Sequence, residues 1–207
     1  MAPTQKNSDD SFVTTAFSFE AALGVGALLI GWAVSIDPLG TVPVLREATV
    51  YHYMRSLFWG SVATVPLLAG LLVIDRLPFR WLLRTRRLVS SRILPLFSPL
   101  SLFEMAAISL AAGFGEELLF RGLLQSGIAE FAGGKSGAVV AIIATSLLFG
   151  LCHWITPGYA ALAMVASLYL GILFARTGNL LVPLIAHGLY DFLALVYLTR
   201  SLISEQE

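Results

Sequence analysis

The chain has 207 residues, 57% hydrophobic and only 13% charged, with a formal net charge of zero and a mean hydropathy of +0.81. Soluble domains carry about 25% charged residues, so these proportions exclude an ordinary soluble domain and point to a polytopic membrane protein. No extended basic face suited to nucleic acid is present, and the single cysteine, Cys152, cannot form an intramolecular disulfide.

Residues 1–15 read as a polar N-terminal tail (Gln5, Lys6, Asn7, Ser8, Asp9 and Asp10) without the basic n-region or cleavage site of a signal peptide. A spanning helix needs about 20 mostly apolar residues. Residues 17–36 meet that requirement, with Glu20 close enough to one end to reach the interface, and Asp37-Pro38-Leu39-Gly40 ends the run. A second span covers residues 57–74 and stops at Asp75-Arg76-Leu77-Pro78. The next connection carries Arg76, Arg80, Arg84, Arg86, Arg87 and Arg92 against Asp75 alone. By the positive-inside rule it is a cytoplasmic loop, which places the N-terminus in the cytoplasm as well. Residues 16–95 thus form a two-helix membrane hairpin plus a basic loop, whose arginines serve topology and headgroup contact.

Residues 100–131 are too long for one perpendicular span and short for two. One long or tilted helix is expected, because Gly113 and Gly115 need not break it; small residues also allow close helix packing. After the turn at Gly133-Gly134-Lys135-Ser136-Gly137, three spans follow over residues 138–153, 159–175 and 180–199. Their connections are short, so successive helices run antiparallel. The fold class is therefore all-α: a polytopic membrane helical bundle with six transmembrane helices, or seven if the long segment splits. Its second half, residues 96–201, is the candidate catalytic core, and residues 202–207 form a polar C-terminal tail.

Charged groups at membrane depth are expensive and mark function or pairing. Glu117 and Arg121 are i,i+4 neighbours with the acid N-terminal, so they neutralise one another. Glu116 sits about 100° round the helix from Glu117 and needs a different partner. His187 and Asp191 share a face at the same spacing, and the carboxylate can fix the imidazole tautomer. Phe149 stands one turn before His153 and can orient its ring, while Cys152 reads as a small packing residue. Such groups face a bundle interior, so these segments converge. A carboxylate taken out of water binds its proton more tightly and a neighbouring cation counters this, a balance suited to general-base work near neutral pH. Glu116 with His153 can then activate a water, and His187, assisted by Asp191, can stabilise the resulting oxyanion. This is a hydrolase constellation without a serine or cysteine nucleophile. Histidines and carboxylates are also legitimate zinc ligands, but the chain lacks both the HExxH and CxxC patterns.

In order, Glu116-Glu117-x-x-x-Arg121, Phe149-x-x-x-His153 and His187-x-x-x-Asp191 resemble the CPBP family (CAAX proteases and bacteriocin-processing enzymes, also called the Abi family). The likeness covers residues 100–198 and includes the contexts Glu-Glu-Leu-Leu-Phe-Arg-Gly-Leu-Leu-Gln and Thr-Gly-Asn-Leu-Leu-Val-Pro-Leu-Ile-Ala-His. It implies an all-helical intramembrane glutamic endopeptidase that needs no cofactor. Glu116 and His153 would activate water, Glu117 and Arg121 would support the site, and His187 with the residue at position 191 would stabilise the oxyanion. Position 191 is commonly Asn in the CAAX endopeptidase branch; an ionised Asp191 cannot donate a hydrogen bond, so here it would hold or charge His187. The implied substrate is a membrane-associated or lipid-modified protein or peptide, in the cytoplasmic membrane. The competing readings are a non-catalytic membrane immunity or scaffold protein, a zinc-dependent membrane metalloprotease, and a proton-coupled carrier.

Overall fold

A computed structural model describes residues 5–43 and 50–204. In chain order these form α1 (Gln5–Ala33), α2 (Val50–Arg76), α3 (Arg80–Phe97), α4 (Leu102–Ala132), α5 (Gly134–Cys152), α6 (Pro157–Thr177) and α7 (Leu181–Ser204). No strand occurs among the described residues. Five helices are long and apolar enough to cross a membrane: α1 from Asp10 onward, α2, α5, α6 and α7. A sixth span arises from α4 taken with α3, to which it is bent by 112°. The molecule is thus an all-helical, multi-pass membrane bundle. The polar tails expected at 1–15 and 202–207 lie partly outside the described residues, which begin with α1 already helical at Gln5.

The long segment is a single continuous helix. Ser101 caps its start: its hydroxyl accepts from the Glu104 backbone N–H at 3.3 Å, and Glu104 accepts from the Ser101 N–H at 2.7 Å. The backbone is α-helical through Glu117 and then takes a π-helical turn over Leu118–Gln125, with Ser126 Oγ donating to the Arg121 carbonyl at 2.9 Å. Such wide turns are frequent at functional sites. The uniform rotation of about 100° per residue therefore holds through the Glu116–Glu117 pair and not beyond it.

Lipid tails are as apolar as leucine, so the helices associate through close packing and interhelical hydrogen bonds rather than water exclusion. α4 is the central element, packed against α1 and α7. At Gly113 a Cβ would lie 2.8 Å from the Gly188 nitrogen, so α4 and α7 cross glycine to glycine. At Gly115 it would lie 2.0 Å from the Glu20 carbonyl oxygen, so α1 is seated on the backbone next to Glu116. Just beyond, Leu100, Met105 and Ile108 pack with Phe12, Val13 and Ala16 of α1 and with Phe192 and Leu195 of α7.

The arginine-rich connection, expected as a loop, is the helix α3. Its Leu82 and Thr85 are buried while Arg80, Arg84 and Arg87 are exposed. Trp81 lies over Gly158, and the Thr85 and Thr156 hydroxyls meet at 2.8 Å, which docks α3 on the α5–α6 connection. Arg86 donates to the Asp75 and Leu77 carbonyls, and Tyr197 donates to the Asp75 carboxylate at 3.0 Å. These contacts tie together the ends of α2, α3 and α7.

Candidate active site

The polar residues of α4, α5 and α7 come together where α4 crosses α7. Two groups of side chains result. In the first, Glu117 and Arg121 are fully buried. Arg121 Nη1 donates to Glu117 Oε1 at 2.9 Å, and Arg121 Nη2 donates to the Ser167 carbonyl at 2.9 Å and hydroxyl at 3.0 Å. His187 Nδ1 lies 2.7 Å from the same Glu117 oxygen. Glu117 Oε1 already accepts from Arg121, and His187 Nδ1 is placed to donate to the same oxygen, which turns its Nε2 the other way. A buried ion pair of this kind tolerates removal of one partner poorly, since an uncompensated charge remains.

The second group surrounds Glu116, which is 8% exposed. His153 Nε2 lies 3.6 Å from one carboxylate oxygen of Glu116, and His187 Nε2 lies 3.8 Å from the other. Asp191 Oδ2 is 3.4 Å from His187 Nε2. His153 Nδ1 is 2.9 Å from the Phe149 carbonyl, which can only accept; the proton of the neutral ring therefore sits on Nδ1, and the Nε2 lone pair faces Glu116. Phe149 stacks on His153 with ring centres 4.2 Å apart and planes 14° apart. Its other neighbours are Phe120 at 4.8 Å and the Arg121 guanidinium at 5.4 Å from the ring centre. One aromatic ring thus touches both groups. His153 and Asp191 are the partly exposed members, with side chains 27% and 32% accessible. Among the described residues, no three His, Cys, Asp or Glu side chains are arranged to share one metal ion.

Two readings from the sequence change. Cys152 is exposed rather than packed, because α5 turns that face outward one residue before His153. Glu20 does not reach an interface: its Oε2 is buried and makes no hydrogen bond among the described residues. It lies within electrostatic reach of Glu116, His187 and Asp191. Three further residues carry no motif. Ser167 anchors Arg121 from α6, and its one signal is a small polar side chain inside an apolar helix. Tyr159 and Tyr190 stand near Asp191, and as aromatic residues within spans they have no distinctive pattern.

Residues 98–193, which contain every one of the motif residues, match the family described as type II CAAX prenyl endopeptidase Rce1-like. The chain is also similar to the uncharacterized protein YpbD of Bacillus subtilis (strain 168). The two are 30% identical over 142 residues, a stretch covering 67% of this chain and 66% of that protein. The chain therefore spans a little under two thirds of that curated relative. No solved structure matches.

Proposed function

We propose that this chain, whose residues 98–193 match the type II CAAX prenyl endopeptidase Rce1-like family, is an intramembrane endopeptidase acting through water activated by Glu116 and His153. The observation that carries this reading is the convergence of two imidazole Nε2 atoms on the two oxygens of one buried carboxylate. Separations of 3.6 and 3.8 Å exceed a direct hydrogen bond. A water resting on Glu116 would meet the His153 lone pair.

In the proposed reaction Glu116, with His153, takes a proton from that water as its oxygen attacks the scissile carbonyl carbon. The carbonyl oxygen becomes an oxyanion, and a proton on His187 Nε2 stabilises it. Collapse of the tetrahedral intermediate breaks the C–N bond, and the proton held at Glu116 passes to the leaving nitrogen. Glu117 and Arg121 orient His187 through its Nδ1. Asp191 holds the other side of that ring and does not itself donate. We also propose that no metal takes part. Hydrolysis by the purified protein is then expected to continue unchanged in a strong chelator; loss of activity restored by zinc would overturn this.

The substrate class proposed is a membrane-associated or lipid-modified protein or peptide. We place α3 and its arginines on the cytoplasmic face of the cell membrane, which puts the α5–α6 connection bearing His153 on the same side. The test is comparative mass spectrometry of protein termini from cells expressing wild-type or Glu116→Gln protein at equal levels. A discrete set of proteins retaining an unprocessed end in the variant is expected. Identical termini in both cultures would overturn the proposal.

A further inference from the structure

The end of the bundle opposite α3 holds a cavity of about 430 Å³ that the proposed chemistry does not use. Arg55, His52, Ser56 and Trp59 of α2 line one wall, with Arg176 in the last turn of α6 and Asn179 in the α6–α7 connection on the other. We propose that this cavity binds a phosphate-bearing anion at the headgroup level of the bilayer.

Charge is the first reason. No aspartate or glutamate lines the cavity among the described residues, and neither Arg55 nor Arg176 takes part in any of the ion pairs found there. Guanidinium groups pair with phosphate through two parallel hydrogen bonds, so two of them facing one cavity suit that anion. Helix dipoles do not account for the pair. Arg176 lies in the last turn of α6, where a cation is favoured, but Arg55 lies near the N-terminal end of α2, where it is not.

Depth is the second reason. Arg55 and Asp75 lie on the same helix, and at 1.5 Å per residue they are about 30 Å apart, the thickness of the hydrocarbon core. When the Asp75–Arg86 end sits at one headgroup layer, Arg55 sits at the other, with Trp59 one turn deeper as an interfacial aromatic. Topology does not explain arginines there, because the arginine excess that sets orientation is at the α3 end.

The cavity is also built rather than incidental. Asn179 Nδ2 donates to Ser56 Oγ at 2.8 Å, Ser56 Oγ donates to the His52 carbonyl at 2.9 Å, and Asn179 Oδ1 accepts from the Leu181 N–H at 3.0 Å. Ser56 is 2% exposed. These bonds fix the start of α7 against α2 and so set the distance between the two walls.

The experiment is native mass spectrometry of the detergent-purified full chain titrated with phosphatidylglycerol or phosphatidylcholine, with inorganic phosphate as competitor. One phosphatidylglycerol per chain is expected to bind in preference to phosphatidylcholine. Arg55→Gln and Arg176→Gln should each weaken it about fivefold, and the double variant about 25-fold. Arg55→Lys and Arg176→Lys keep the charge but lose the paired hydrogen bonds, so each should bind between the wild type and its Gln variant, and unfolding curves that overlay the wild type control for folding. Retention despite millimolar phosphate assigns a lipid headgroup, and displacement assigns a soluble phosphate; both support the site. Equal binding of the two lipids by wild-type protein, with no effect of phosphate, would overturn it. So would preference lost in an Arg80→Gln/Arg84→Gln variant of α3 but kept when Arg55 and Arg176 are replaced.

Discussion

Two adjacent glutamates on one helix have opposite surroundings. Glu117 is fully buried, and one of its oxygens is held at 2.9 Å by Arg121 and at 2.7 Å by His187. Glu116, the preceding residue, has no partner closer than 3.6 Å in an ion pair; the Oε2 of both glutamates makes no hydrogen bond among the described residues, so the contrast lies in the anchored Oε1 of Glu117. The rotation of about 100° between successive helical residues produces this contrast, because it sends one side chain toward α6 and the other toward α5. A carboxylate anchored through one oxygen by a guanidinium and an imidazole is a structural element. One with no direct hydrogen bond beside two imidazoles is available for chemistry. The difference lies in placement, since the side chains are identical.

Replacing each in turn separates the two roles. Glu116→Gln is expected to lower the hydrolysis rate by about 10²–10⁴-fold, the usual contribution of a positioned acid–base group, while its unfolding curve overlays that of the wild type. The next largest effect is expected on stability. Arg121→Met leaves Glu117 buried without its counter-ion and should cost about 3–5 kcal/mol, read from unfolding in mixed detergent. The double variant Glu117→Gln/Arg121→Met removes both charges and should recover most of that loss. If Arg121→Met unfolds like the wild type, the ion pair is not structural and the contrast with Glu116 fails.

Much of this contrast can be read in the chain. The i,i+4 spacing of Glu117 and Arg121 predicts their pairing, which forms even though residues 118–121 lie in the π-helical turn, and the interior placement of polar residues in a membrane bundle brings His153 and His187 to Glu116. The π-helical turn at Leu118–Gln125 is not legible, since a shift to i→i+5 bonding leaves no mark in apolar composition. In α3 the arginines hid an amphipathic pattern. Leu82 and Thr85, three residues apart, are the buried stripe, and the arginines around them at 80, 84, 86 and 87 read as loop. Ser167 was hidden by its own size: nothing in a lone serine says that an arginine from another helix reaches it. Glu20 misled through direction: its place near the start of an apolar run says nothing of which way it points, and its Oε2 is turned inward and buried.

Glu20 offers the finest probe of the comparison, because it resembles Glu116 in being unsatisfied and Glu117 in being held by packing. Its carbonyl rests on Gly115, and Ala16, one turn away, packs with the cluster that includes Phe192, next to Asp191. The backbone of α1 is therefore seated independently of the Glu20 carboxylate. Glu20→Gln keeps the side-chain shape and removes an acid that has no partner among the described residues, so thermal stability should stay level or rise. Its charge acts on Glu116 only through space, and the expected change in kcat is less than about threefold, well below one factor of ten or about 1.4 kcal/mol, with KM unchanged. A drop in kcat approaching that of Glu116→Gln would make Glu20 part of the proton-handling machinery and end the view of Glu116 as the one acting carboxylate base. A fall in melting temperature would instead assign Glu20 to the structural class alongside Glu117.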